Sequence, residues 1–290
     1  MFSVDELTDL PAMTVVLSFD VDGMAGGVNP DRFDLASAAR GEFTVPATDR
    51  VLRLLHARGL PATFFVPGQT AQAFPRLVSR IAEAGHEIGH HGYAHEDPAT
   101  LTPGEEEAAL DRGLEALRDV AGITPIGYRA PCWTHTPGTT RLLRDRGFSY
   151  DSSLMGRDVE LYWCRTADTW SRTGPYQFGD QIDVAELPVA WHLDDFPMFE
   201  FVMDGAAIVQ GLATGSQVLE IWSDELAYAQ QSLPGAVLTY TMHPEVIGRP
   251  YRMLMLQRFL DFACSLPGVE FATAARVVSR WRAAQQSVPR

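Results

Sequence analysis

Lysine is absent: all 23 basic residues of this 290-residue chain are arginines. That excludes a Schiff-base lysine, a lysine general base and the lysine of a phosphate-binding P-loop. Cysteine is scarce, and Cys132, Cys164 and Cys264 are too widely spaced to form a CxxC metal pair or a disulfide framework. No apolar run approaches the roughly 18 residues that span a bilayer, so no membrane partner is expected. No basic residue precedes Arg32, while Asp5, Glu6 and Asp9 crowd the start. A secretory leader needs a positive start and an apolar middle, so a cytoplasmic, reducing location is expected. Positive charge is also in deficit, with 37 acidic residues giving a net −14 and a pI near 4.9. Such a field repels phosphate backbones and argues against nucleic-acid binding. No Gly-x-Ser-x-Gly elbow occurs, so an activated serine is not expected either.

What is present is an ordinary globular balance, 46% hydrophobic and 21% charged, enough to bury a sizeable core. Short apolar runs alternate with helical patterns. Thr14–Asp20 and Ala62–Gly68 read as buried strands, with further strand segments near Glu87–Gly89, Gly127–Pro131, Phe148–Ser152, Glu186–Trp191, Ala236–Met242 and Val269–Phe271. Between them lie helical patterns, among them one opened by a Thr102–Glu105 capping box and others over Gln217–Gln230, Tyr251–Ser265 and Thr273–Ala284. Seven or eight β/α units without a linker predict an α/β fold, a parallel sheet closed as a barrel in one domain over residues 1–290. Polar residues at the strand ends mark the active face of such a barrel.

Asp20 and Asp22 end the first strand in Ser18-Phe-Asp-Val-Asp-Gly23. Four of the eight histidines, His86, His90, His91 and His95, fall within ten residues. One helical turn would set His91 and His95 on the same side of an ion. His86 reads as solvated, and His90 points away from that pair if the segment is extended. Two histidines and a carboxylate from separate elements make a three-ligand site with open positions, the pattern of a hydrolytic metal centre. Asp22 is the natural third ligand, which leaves Asp20 near enough to take a proton from water. Arg129, at a buried strand end, needs an anionic partner, for which the Asp20/Asp22 pair is the candidate. His243 ends another strand; it reads as a core histidine or, beside a metal, as a general acid. Cys132 has no evident reason to be activated.

These runs resemble the motifs of the polysaccharide deacetylases, the carbohydrate esterase 4 or NodB-homology family. Ser18–Gly23 is similar to their Asp-Asp motif, His91-Gly-Tyr-Ala-His95 to their His-x3-His motif, Arg129-Ala-Pro131 to their Arg-x-Pro motif, and the strand ending at His243 to their final histidine motif. Asp151 resembles an aspartate of the later motifs in placement. The motifs occur in family order between about residues 13 and 275. The resemblance implies a distorted (β/α) barrel of about seven parallel strands. It also implies a hydrolase of non-peptide C–N amide bonds, with one divalent metal ion, usually zinc, held by Asp22, His91 and His95. Asp20 would be the base activating a metal-bound water, Arg129 its orienting partner, and His243 the acid protonating the leaving amine. Two departures stand out: Val21 separates the aspartates, and Cys132 then Trp133 follow Arg-x-Pro where an aromatic is usual. The Asp20-Val-Asp22 spacing, together with the run His243–Arg252 (HPEVIGRPYR), resembles an intracellular branch that includes peptidoglycan-deacetylase-like proteins, cyclic imide hydrolases and metal-independent allantoinases. The last lack the metal ligands, all three of which this chain keeps.

The substrate expected is a saccharide of the N-acetylglucosamine type, the alternative being a small cyclic imide or ureide. Trp133, Trp191 and Asp151 are the expected substrate contacts. Met24–Phe43 and Trp191–Phe196, read as non-helical, could roof the site. Met198, Phe199 and Phe201 are candidates for contact within a homo-oligomer. Without a metal, Asp194–Asp195 or Asp20–Asp22 would be the carboxylate pair of a glycoside hydrolase.

Overall fold

Apolar and β-branched residues dominate the run Met13–Asp20, which forms a strand, β1, buried at every position. In the computed structural model, which describes residues 13–25, 35–200, 203–204, 207–208 and 212–287, this strand is the hub of the sheet. It is followed by β2 (Thr63–Val66), β3 (Glu87–His90), β4 (Gly127–Tyr128), β5 (Tyr150–Asp151), β6 (Tyr162–Thr166), β7 (Asp180–Glu186), β8 (Met203–Asp204), β9 (Ala207–Ile208), β10 (Ala236–Met242) and β11 (Val269–Phe271). The helices are α1 (Leu35–Glu42), α2 (Thr44–Arg58), α3 (Gly68–Ala73), α4 (Pro75–Glu83), α5 (Pro103–Ala121), α6 (Thr139–Asp145), α7 (Asp195–Phe199), α8 (Gly215–Ser232), α9 (Pro244–Ile247), α10 (Pro250–Ser265) and α11 (Ala274–Ser287).

The strands run in the order β10-β1-β2-β3-β4-β5-β7, seven in parallel, with β6 antiparallel on the outer edge of β7. β11 shares one side of β1 with β2, pairing Met13–Val15 while β2 pairs Ser18–Asp20. The ring is completed by isolated contacts: an Asp194–Thr241 parallel bridge and the Val237 amide donating to Val159 at 2.9 Å. This is the distorted barrel expected from the sequence.

Alternation along β1 separates two cores. Val15, Leu17 and Phe19 pack outward with helix residues such as Leu55, Trp222 and Phe259, whereas Val16 faces an inner cluster with Phe65, Tyr150 and Val237. Val277 and Val278 of α11 join that inner cluster. Apolar side chains therefore pack the barrel near the start of β1, and the carboxyl strand ends are left polar. The capping box at Thr102 is present, and a second one, Thr214 with Gln217, opens α8. Among the described residues no helix is long and apolar enough to cross a membrane.

Several expected boundaries shift. The strand expected over Glu186–Trp191 is instead β7, ending at Glu186, because its exposed first half lacks an apolar run. β6 went unrecognised, and only Tyr150–Asp151 of Phe148–Ser152 joins the ladder. The supposedly non-helical segments contain α1 and, in the second, a 3₁₀ turn at Trp191–Leu193 leading into α7. Residues 26–34 of the first segment lie outside the described residues. Phe199 is fully buried, with the Arg252 guanidinium 4.7 Å from its ring centre. It belongs to the core rather than to a free interface; Met198 is half-buried and Phe201 lies outside the described residues.

Candidate active site

β1 delivers both aspartates. Asp20 is its last residue and Asp22 lies two further on, and both are nearly fully buried. The chain beyond is pinned by Val21 N–H donating to Phe65 O at 2.8 Å and by Thr70 Oγ1 donating to Asp22 O at 2.6 Å.

β3 ends at His90, and the next three residues leave the sheet. His90 takes the side away from Asp22: its Nδ1 accepts from Gly92 N–H at 3.2 Å and its Nε2 lies 3.1 Å from Leu110 O. Burial lowers its pKa to about 3, so it is a neutral core histidine. A side chain at Gly113 would collide with its ring, so glycine lets α5 approach. His86 is half-buried against the Phe64 ring rather than solvated, and burial lowers its pKa.

His91 and His95 do converge, though not on a helical turn. The loop between them uses left-handed backbone at Gly92 (φ 72°) and His95 (φ 57°). Glu96 anchors it by accepting the Tyr93 and Ala94 amides at 3.1 and 2.8 Å, while Gln69 N–H donates to Tyr93 O at 2.7 Å. His91 Nδ1 donates to Arg129 O at 2.7 Å, which turns Nε2, where an ion or a proton can sit, toward the aspartates. His91 Nε2 lies 3.4 Å from Asp22 Oδ1, and His95 Nε2 lies 3.5 Å from Asp22 Oδ2. Asp22 Oδ1 is buried with no hydrogen-bond partner. Two donors bound about 2.0–2.1 Å from one tetrahedral ion stand about 3.3–3.4 Å apart. The observed spacings are long for hydrogen bonds and match that requirement, so the residues fit a divalent ion. Burial works against ionisation of Asp22, but His95, His91 and His243 outweigh it and hold the carboxylate well below its usual range. Burial lowers the His95 pKa. At His91 burial is overcome by Asp20 and Asp22, which raise it; an ion would have to displace that proton.

Arg129 is fully buried and pairs with Asp20 as expected, Nη1 to Oδ1 at 2.8 Å. Nη1 also reaches Ser18 Oγ at 2.9 Å, Nε reaches Ser152 O at 3.0 Å and Nη2 reaches Ser152 Oγ at 2.9 Å. Its guanidinium carbon sits 4.3 Å from the Phe65 ring centre. A guanidinium so held presents Asp20 in a fixed direction, with its other oxygen 3.8 Å from His91 Nε2.

His243 follows β10, its Nε2 3.8 Å from Asp22 Oδ2. Nδ1 contacts Asp195 Oδ1 at 2.8 Å, and the same carboxylate accepts the His243 amide. Asp194 Oδ1 is 3.7 Å from Nδ1. Burial disfavours the imidazolium, yet Asp194 and Asp195 raise the His243 pKa well above its ordinary value. Asp194 itself is pushed up to about 7 by burial. Both carboxylates of the Asp194–Asp195 pair thus face His243 Nδ1. The role of Asp195 as partner of the histidine is invisible in sequence, 48 residues upstream. Trp222 steadies this corner, donating Nε1–H to His192 O at 3.1 Å.

Asp20, Asp22, His91, His95 and His243 line a pocket of about 510 Å³. Its apolar wall is Trp133, Trp191 and Phe196, with the two indoles 4.3 Å apart. Trp191 is half exposed. Cys132, also on the wall, has its thiol pushed up to about 11 by burial and so stays protonated. Cys132 and Trp133 both carry positive φ, 57° and 52°, a backbone cost of roughly 1–3 kcal/mol each that turns the chain sharply at the pocket edge. Asp151 does not line the pocket. It is fully buried beneath it, 3.0 Å from His135 and accepting from Ser153 Oγ at 2.6 Å. Its likeness in placement to a motif aspartate suggested a substrate contact, but its side chain is fully buried and paired inside the protein.

Fold and site define the class: an α/β-barrel hydrolase of C–N bonds other than peptides. The family model for polysaccharide deacetylase matches residues 9–150. The chain is 33% identical over 276 residues to the peptidoglycan deacetylase of Helicobacter pylori, covering 89% of this chain and 92% of that one. A Mycobacterium smegmatis structure assigned to the polysaccharide deacetylases superposes with a TM-score of 0.83 at 35% identity, covering 98% and 94% of the two chains. The structure of Puue allantoinase shares the fold, with a TM-score of 0.79 at 22% identity over 97% and 94%. The chain belongs to the polysaccharide deacetylase family.

Proposed function

We propose that this protein is a metal-dependent N-deacetylase of N-acetylglucosamine-type saccharides. The observation that carries the reading is the convergence of Asp22, His91 and His95 on one point, flanked by Asp20 and His243, at the floor of an indole-walled pocket. Zinc suits one carboxylate and two imidazoles. Held there, the ion supplies Lewis acidity toward the acetamide carbonyl and lowers the pKa of water.

Asp20, oriented by Arg129, takes the proton as water attacks the carbonyl carbon. His243, kept protonated by Asp194 and Asp195, donates from Nε2 to the departing nitrogen, and the C–N bond breaks to give acetate and a free amine. Proton transfers of this kind contribute about 10²–10⁴-fold. Trp133 and Trp191 offer the face on which a sugar ring stacks. The finite volume of the pocket also favours a second reading, ring-opening of a small cyclic imide or ureide by the same groups. Acetate release from N-acetylglucosamine oligomers by the zinc-loaded protein tests the choice. Chelator-sensitive acetate supports deacetylation; none from metal-loaded protein that opens cyclic imides refutes it.

A further inference from the structure

Behind the site lies a buried group of side chains that this mechanism does not use: Asp151, Cys164, Glu186 and, beside them, His135. The donor atoms of Asp151, Cys164 and Glu186 lie within 4.8 Å of one another, which raises the question of a second metal. Their contacts with the protein account for them better: Cys164 Sγ donates to Glu186 Oε2 at 3.5 Å, Ser153 Oγ donates to Asp151 Oδ1 at 2.6 Å, and Asp151 Oδ2 lies 3.0 Å from His135 Nε2. Burial, reinforced by Asp151, raises Glu186 well above the usual carboxylate range.

Glu186 spends its other oxygen on the backbone. Oε1 accepts the amides of Ser153 and Leu154 at 2.9 and 2.8 Å, where the chain leaves β5. That segment holds Arg129: Ser152 O and Oγ accept from its guanidinium, and Ser153 Oγ accepts the Ala130 amide at 2.8 Å. Glu186, Ser152, Ser153 and Arg129 are all essentially inaccessible to solvent. We propose that Glu186 is a positioning residue for the reaction, setting the Ser152–Leu154 backbone that aims Arg129 at Asp20. The inference rests on the deacetylase reading, since Asp20 is its beneficiary.

Glutamine keeps the length of Glu186 and one carbonyl oxygen to accept the Ser153 and Leu154 amides. Glu186→Gln should therefore stay within about threefold of wild type in kcat. Glu186→Leu, which keeps the bulk but leaves two buried amides unpaired, should lower kcat about tenfold or more at unchanged KM and metal content. In an Arg129→Met background it should add little, because the effect passes through Arg129. Should the leucine variant fail to fold, Glu186→Asp, with its carboxyl withdrawn by one methylene, takes its place. Full additivity with Arg129→Met, or a glutamine variant as impaired as leucine, would overturn the proposal. So would a second equivalent of metal that Glu186→Gln removes. A crystal structure of the impaired variant reads the effect without turnover. The Arg129–Asp20 contact should lengthen beyond hydrogen-bond distance, and an unmoved guanidinium contradicts the inference. A wild-type protein that releases no acetate fails the deacetylase reading instead and leaves that structural result to stand or fall alone.

Discussion

Asp195→Asn isolates the charge that supports His243. The carboxylate touches Nδ1 at 2.8 Å and the His243 amide at 3.1 Å, and asparagine can keep one such bond while losing the charge. A hydrogen bond to a charged group contributes about 1.5–3 kcal/mol. At 1.36 kcal/mol per pKa unit, the His243 pKa should fall by about 1–2 units. The direction follows from the observed shift: His243 lies above its ordinary value because its acidic neighbours favour the cation. A general acid works only while protonated, so wild-type turnover declines as pH rises through this pKa. In the variant that alkaline limb should move to lower pH by about 1–2 units, with kcat down about 10–100-fold above the limb and little changed below it. The assay is acetate release across the neutral and alkaline range at saturating substrate. An alkaline limb that does not move would refute the assignment of His243 as the acid.

Asp20→Asn should keep its metal yet lose at least about 10²-fold in kcat, the usual size of a lost general base; metal analysis beside steady-state rates checks both halves. Trp191→Ala removes the exposed half of the indole pair. An aromatic contact contributes about 0.5–1.5 kcal/mol, so KM for oligomers should rise about 2–12-fold with kcat little changed. Gly113→Ala drives a methyl into the His90 ring. Overpacking costs about 1–3 kcal/mol, so thermal denaturation should show a Tm several degrees lower with the metal site intact.

The ring of parallel strands was legible because buried strands read as apolar runs, as β1 and β10 do throughout their lengths. The half-exposed β7 and the edge strand β6 carried no such signal. Asp20, Asp22, His91, His95, Arg129 and His243 were readable as candidates because each sits in a compact motif at a strand end, and the fold brings them together. The i, i+4 spacing of His91 and His95 suggested a helical turn, yet glycine-assisted left-handed backbone joins them instead. Asp195 and Glu186 were not legible as partners, since each acts through a contact made by tertiary folding, across 48 and about 33 residues respectively. Asp151 shows the converse: a motif position in sequence that the register of β5 turns inward.

On the proposed mechanism Asp22, His91 and His95 hold the ion that hydrolysis requires. The most direct test is to strip the protein of metal and titrate zinc back while measuring bound metal and acetate release together, in wild type and in Asp22→Ala. Activity rising in step with one equivalent of zinc in wild type, and neither binding nor acetate in the variant, is the predicted result. Full acetate release from the metal-free protein, or a full equivalent of zinc in Asp22→Ala, would contradict it.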